Sequence, residues 1–161
     1  MNKKGSLSLS VNAIVILILA ITMLGLGLGF IKGMFGKVSQ QVQEQIDQEP
    51  EPPAASGGMP ITLSKETIIA KAGDDIVLKV SAYNPTNDDW GTTTVPDLDC
   101  GPNLVLTEQA NPKSILVGRS ETYNVLFKIP SGTEANRYLC SASIGDTTNT
   151  YTKDFTITIK Q

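Results

Sequence analysis

The most constraining feature of the sequence is a long stretch near its amino terminus that carries no charged side chain. It runs from Ser6 to Ile31, and from Val11 onward only Asn12, Thr22 and three glycines interrupt the apolar residues. In an α-helix, about 20 such residues cross the ~30 Å hydrocarbon core of a bilayer. We therefore expect one helix that is long and apolar enough to span a membrane.

A basic pair and a glycine stand directly before this stretch, as Lys3, Lys4 and Gly5. One interpretation is a secretory signal peptide, although its apolar region is usually only about 7–15 residues long and ends at a small-residue cleavage site. A second interpretation is an uncleaved membrane anchor, which needs nothing beyond the apolar helix itself.

A third interpretation rests on a resemblance. The motif Lys3-Lys4-Gly5-Ser6, placed against a long apolar helix, resembles the prepilin leader of type IV pilins in its archaeal form. In that family a dedicated peptidase cuts after the glycine on the cytoplasmic side. The resemblance covers about residues 1–47 and implies cleavage between Gly5 and Ser6, in a precursor with its amino terminus inside and its head outside. Bacterial members carry Glu where this chain has Ser10, and archaeal members often lack it.

The helical pattern continues beyond the apolar stretch. Apolar residues recur at spacings of three and four, which is typical of one helix face; they are Ile31, Phe35, Val38, Val42 and Ile46. A helix from about Leu7 to Asp47 would be roughly 60 Å long. Such a helix suits a filament subunit, whose apolar half packs among its neighbours. A short membrane-proximal stalk or coiled coil is the alternative.

Three glycines in this helix fall at intervals of four, as Gly25, Gly29 and Gly33. Small residues at this spacing allow helix backbones to approach closely in an apolar medium. Each glycine also costs about 1 kcal/mol relative to alanine, which favours local softening or a kink. We favour close packing against like helices and keep local softening as the alternative.

Prolines and glycines end the helix between residues 48 and 58. Prolines lack the backbone donor that a helix needs, and the glycine pair adds freedom. The sequence therefore predicts a leader at 1–5, a helix at 6–47, a linker at 48–58 that is extended in its proline half and flexible in its glycine half, and a head at 59–161.

Beyond the linker the apolar residues alternate with a period of two. The predicted strands are 61–63, 67–69, 76–83, 104–106, 122–129, 137–144 and 151–159. Short strands separated by turn residues indicate an antiparallel β-sandwich. The predicted fold class is thus α+β, with a long hydrophobic helix followed by the sandwich.

A tyrosine and a cysteine refine this prediction. Tyr138 stands two residues before Cys140 at a predicted strand start, which resembles the tyrosine corner of immunoglobulin-like domains. The resemblance implies an immunoglobulin-like head in which the Tyr138 hydroxyl bonds to upstream backbone. A tyrosine that packs at a strand end by chance is the alternative. Trp90 lies in a loop-like stretch and is not assigned to the core.

Cys100 and Cys140 are the only cysteines of the chain. A pair of cysteines in an extracytoplasmic domain favours a disulfide, with two free buried thiols as the alternative. Four carboxylates lie close together in the sequence, at Asp88, Asp89, Asp97 and Asp99. They are weak candidates for a Ca²⁺ site, since their spacing fits no EF-hand loop, and a solvated acidic loop is favoured.

Composition excludes several functions. The chain has no histidine, which excludes Ser-His and Cys-His nucleophile pairs and His-ligated zinc. With 13 Lys+Arg against 16 Asp+Glu, it lacks the basic surface of a nucleic-acid binder. We expect no cofactor and no enzymatic activity.

The sequence thus predicts a structural subunit, the pilin of an extracellular type IV-like pilus used for adhesion. Its partners would be copies of itself through the helices, the membrane before assembly, and a prepilin peptidase and an assembly ATPase with its platform in trans. The alternatives are a single-pass anchored immunoglobulin-like binding module that does not polymerise, and an archaellin of a motility filament.

Overall fold

The computed structural model describes residues 11–160, and their side chains except those of residues 32–42. It contains one long helix, α1, over Val11–Gln48. The helix ends at Gln48 because Pro50 has no backbone N–H and disfavours helical geometry at the residue before it. The predicted helix start at Leu7 and the predicted leader lie outside the described residues. By its contacts the chain divides into one unit up to Glu44 and another from Gln45 onward.

The second unit is built from ten strands. They are β1 Ile61–Leu63, β2 Thr67–Lys71, β3 Asp75–Tyr83, β4 Trp90–Thr94, β5 Asp97–Asp99, β6 Thr107–Gln109, β7 Lys113–Ile115, β8 Ser120–Lys128, β9 Arg137–Gly145 and β10 Thr150–Lys160. One four-stranded sheet has the order β1-β3-β8-β6, a second has the order β2-β10-β9-β5, and β4 pairs with β7 in a small ribbon. All pairs are antiparallel except β2 with β10, which is parallel.

This strand order is that of an immunoglobulin-like sandwich. If β1, β3, β5, β6, β8, β9 and β10 are taken as strands A to G, the two sheets read ABED and GFC, as in the constant-type fold. The β domain begins with β1 in the first sheet, and the next strand, β2, lies at the edge of the second sheet. The predicted α+β class, a hydrophobic helix followed by a β-sandwich, is confirmed.

The core of the sandwich lies between the two sheets and follows the alternation of the long strands. In β10, for example, Phe155, Ile157 and Ile159 are buried. Trp90 also belongs to this core: it is only 1% exposed and stacks on Tyr151, with the ring centroids 5.9 Å apart. The sequence pattern did not assign it, because Trp90 is the first residue of a strand whose next three residues are exposed.

One predicted strand is misplaced. Residues 104–106 have no regular structure, and β6 begins only at Thr107. Leu104 lies in a loop, but its side chain packs into the core and is only 2% exposed. Its apolar character therefore reflects this burial and does not indicate a strand. Four short strands, β4 to β7, were not predicted, since their three to five residues lack the apolar pattern that identified the equally short β1 and β2.

Candidate functional site

The first candidate surface is the apolar part of α1. Every side chain from Val11 to Ile31 is exposed, and the mean hydropathy of this 21-residue segment is 2.8. No described residue of the chain covers it. A membrane anchor or a signal sequence has this length and composition, and lipid or other apolar helices would cover the surface. The hydroxyl of Thr22 donates to the Leu19 carbonyl at 2.9 Å, so this polar group is satisfied within the helix, as lipid requires.

The predicted packing glycines lie on this surface. At Gly25 and Gly29 no heavy atom lies within 4 Å of the position that a Cβ would occupy, so both are open notches. The helix continues through both without interruption. The surroundings of Gly33 are outside the described part, as are Lys3, Lys4, Gly5 and Ser6. Close helix packing and leader cleavage therefore stay predictions.

The segment after the helix, residues 49–55, forms what we call the strap. Its first residue, Glu49, is only 7% exposed. The Ser64 hydroxyl donates to one carboxylate oxygen of Glu49 at 2.5 Å, and the Lys65 ammonium pairs with the other. The Ser64 oxygen also accepts the backbone N–H of Lys79 at 3.1 Å. A buried carboxylate is thus satisfied by a strand-end hydroxyl and a cation.

Further contacts hold the rest of the strap against β1 and β3. Glu51 pairs with the buried Lys79 at 2.5 Å. The Pro53 carbonyl accepts from the Thr62 hydroxyl at 2.5 Å, and the Ala55 N–H donates to the Ser81 hydroxyl at 3.4 Å. Most of the predicted linker is therefore bound to the β domain. These contacts could not be predicted from the sequence, because the glutamates that make them alternate with prolines like those of a solvated spacer.

The two cysteines form the predicted disulfide, Cys100–Cys140. It joins the residue after β5 to β9, two neighbouring strands of one sheet. In antibody domains the corresponding bond instead connects the two sheets. The Tyr138 hydroxyl donates to the Glu134 carbonyl at 3.0 Å, which is the upstream backbone bond that the sequence resemblance implied.

Two of the four aspartates proposed as weak calcium ligands accept hydrogen bonds from backbone donors. Asp89 accepts from the Val117 N–H at 2.8 Å, and Asp99 accepts from the Gly101 N–H at 2.7 Å. Within residues 11–160 no group of three or more His, Cys, Asp or Glu side chains could hold a metal ion. The calcium candidate is therefore not supported.

A carboxylate pair between the edges of the two sheets was not predicted from the sequence. Burial, together with the smaller effect of the nearby Asp97 carboxylate, raises the pKa of Glu108 to about 7, and the Leu98 N–H, which donates to Glu108 at 2.9 Å, opposes this rise. Glu108 lies in β6 and Asp97 in β5, the edge strands of the two sheets. Only the sandwich brings these strands together, so the sequence held no signal of the pair.

A polar cleft of about 700 Å³ lies beside the disulfide. Its walls are Cys100, Asn103, Gly132, Thr133, Glu134, Asn136, Arg137, Tyr138 and Leu139. The hydroxyl of Thr133 donates to the Pro130 carbonyl at 2.8 Å, and the Tyr138 hydroxyl is engaged with Glu134. Both hydroxyls donate to local backbone carbonyls, and among the described residues no basic side chain accepts a proton from either of them.

Comparisons with known proteins leave the family open. No protein family and no curated protein sequence matches the chain. One solved structure that resembles part of it is a family 123 glycoside hydrolase from Clostridium perfringens, with a TM-score of 0.40 and 11% identity over 59% of this chain. The match spans only 23% of that protein. Similarity at this level carries no argument about fold or activity.

Proposed function

We propose that the chain is a pilin, the structural subunit of an extracellular type IV-like pilus of the archaeal kind, which polymerises through its apolar helix and serves surface adhesion. The observation that carries the proposal is that every side chain from Val11 to Ile31 is exposed, whereas the β domain of the same chain buries its own core. A chain built in this way needs an external apolar partner for the helix and none for the domain.

Polymerisation would exchange one apolar environment for another. Lipid covers the helix in the membrane precursor, and helices of other copies cover it in a filament core, so the transfer costs little. The open notches at Gly25 and Gly29 favour close approach of a neighbouring helix. Repeated heterologous contacts that do not close produce a filament and not a ring. An assembly ATPase with its platform, acting in trans, would supply the energy of extraction.

The β domain would form the outer surface of the filament and make the adhesive contacts. Its disulfide supports this placement, since such bonds persist in oxidising compartments outside the cytosol. In this proposal the chain is not an enzyme and does not bind nucleic acid. The single-pass anchored module shares the same exposed helix and is the competing function.

The intact mass of the protein isolated from its native cells separates these two functions. A pilin should lack Met1–Gly5, because the prepilin peptidase cuts between Gly5 and Ser6. A matched Gly5→Leu variant should keep the leader and stay in the membrane. A wild-type chain that retains Met1 would overturn the pilin proposal.

Electron microscopy of sheared surface appendages tests polymerisation itself. We expect filaments that contain this chain in wild-type cells and none in Gly5→Leu cells. Filaments that lack the chain would favour the anchored module. A deletion strain that stops swimming would instead identify the filament as an archaellum.

A further inference from the structure

The second sheet, β2-β10-β9-β5, presents an outer face that no described element covers. Side chains alternate between the two faces of a strand, and Phe155, Ile157 and Ile159 of β10 lie in the core. The intervening residues of the four strands lie on the opposite face of the sheet. We call these the outer face; they are Thr67, Ile69, Lys71, Asp97, Asp99, Arg137, Leu139, Ser141, Ser143, Thr152, Asp154, Thr156, Thr158 and Lys160.

Charges divide the outer face into two ends. Asp154 lies in one row with Ser141 and Asp99, and Asp97 lies in the next row outward. At the opposite end, Lys160 pairs in register with Lys71. The row before it contains Arg137 beside Thr158. None of these six charged side chains forms an ion pair with another residue of the described chain.

Between the charged ends lie two exposed apolar side chains. Ile69 is 61% exposed and Leu139 is 71% exposed. They are aligned with Thr158 and Thr156 of β10 respectively, one from each side. Threonines and serines fill the remaining central positions, and Thr156 among them is only 9% exposed. The centre of the face is therefore uncharged and built largely of short side chains, which favours contact with another flat surface.

We propose that the outer face binds the outer face of a second copy of this chain, with the strands of the two copies antiparallel. The face carries three acidic and three basic residues, so it is complementary to itself. A two-fold axis that lies between the faces, across the strands, superimposes the acidic end of each copy on the basic end of the other. Parallel strands would instead oppose like charges, which is unfavourable.

The register of β10 specifies this contact further. When the axis passes opposite Ile157, Asp154 of each copy faces Lys160 of the other, because both residues lie three positions from the axis. The same operation brings Arg137 diagonally next to Asp99 of the second copy. Ile69 of each copy then lies beside Thr67 of the other, and the exposed apolar side chains are covered.

This inference concerns the β domains alone and goes beyond the proposed filament. It holds for an anchored module as well as for a pilin, since the membrane brings heads of either together. A carbohydrate or an unrelated protein on the same face would not require that Asp154 and Lys160 complement each other. That requirement makes the proposal testable.

Cross-linking of the full-length chain in membranes tests the contact. Ile69→Cys with a short bismaleimide should give a covalent dimer. Val105→Cys is the matched control, because Val105 is equally apolar, 71% exposed and outside this sheet. Equal cross-linking at both positions would overturn the proposal, since it would report crowding and not a specific face.

A charge exchange in the Ile69→Cys background tests the orientation. Asp154→Lys alone and Lys160→Asp alone should each reduce the dimer about fivefold or more, because two-fold symmetry introduces every repulsion twice. The double variant should restore it. Both residues are exposed, so the melting temperature should not change. A double variant that cross-links no better than the single ones would overturn this proposal, and filaments seen by microscopy would leave the proposed function intact.

Discussion

The apolar helix and the β domain use the same residue types in opposite ways. Leu26 in the helix is 76% exposed, whereas Leu78 in β3 is fully buried. The mean hydropathy of the whole chain, −0.02, averages a segment at 2.8 with a polar domain and describes neither. The β domain is therefore stabilised by apolar contacts within the chain, whereas the apolar surface of the helix must be covered by lipid or by other chains.

Removal of the disulfide should have the largest effect, and only on the β domain. Cys100→Ser with Cys140→Ser opens a loop with a sequence separation of 40 residues. The free energy of unfolding should fall by about 4 kcal/mol on the chain-entropy account. Urea unfolding of the full chain in detergent, followed by the fluorescence of Trp90, measures this change. A loss of helix content in the same variant would contradict the independence of the two regions.

The same substitution in the two regions should have contrasting effects. Leu78→Ala removes a fully buried side chain, so it should lower the free energy of unfolding of the β domain by about 3 kcal/mol. Leu26→Ala should leave it unchanged, since no described residue packs there. Under the pilin proposal, it should weaken filaments in microscopy instead. Equal destabilisation by both variants would mean that the helix is part of the folding unit of the domain.

The strap should respond to the loss of a single hydroxyl. Ser64→Ala removes the donor to Glu49 and the acceptor for the Lys79 N–H, both at buried residues. The expected cost is about 2 kcal/mol, with faster hydrogen exchange in residues 49–55. Ser131→Ala, at an exposed turn, is the control. If hydrogen exchange in the strap is equally fast in the wild type and in Ser64→Ala, the strap is a free linker and this prediction is wrong.

The smallest effect should be a pH dependence from Glu108. Its pKa rises from 4.5 to about 7 on folding, so the folded state binds more protons between these values. The free energy of unfolding should therefore be highest below about pH 4.5 and fall by about 1–2 kcal/mol as the pH rises through 7, after allowance for solvent screening.

Glu108→Gln keeps an oxygen for the Leu98 N–H and removes the titration, so its unfolding free energy should not fall across this window. Glu134→Gln, at an exposed position, serves as the control and should keep the wild-type dependence. A Glu108→Gln profile that matches the wild type would assign the effect to another group. Denaturant titrations at a series of pH values provide the measurement.

Periodicity predicted the parts of the fold that depend on neighbours in the sequence. The helix end, the long strands β3, β8, β9 and β10, and the short strands β1 and β2 followed from local sequence patterns. The disulfide followed from the presence of two cysteines in a domain expected outside the cytosol. The short strands β4 to β7 were not predicted, because they depend on pairing with other strands more than on a pattern of their own. The contact between Glu108 and Asp97 could not be predicted either, because the two residues lie in different sheets that meet only in the folded domain.

By itself, the sequence determined that this chain has an apolar helix needing an external partner and a β domain able to bury its own core. The helical and strand periods depend only on residues that are close in sequence. The segment from Ser6 to Ile31 has no charge, and this favours its removal from water whatever the rest of the fold. The tertiary fold was needed to show that the proline segment is a bound strap, that Trp90 is in the core, and that six charges scattered along the sequence lie on one face of a sheet. These features depend on which strands pair and in what register, and that is settled by packing over the whole domain.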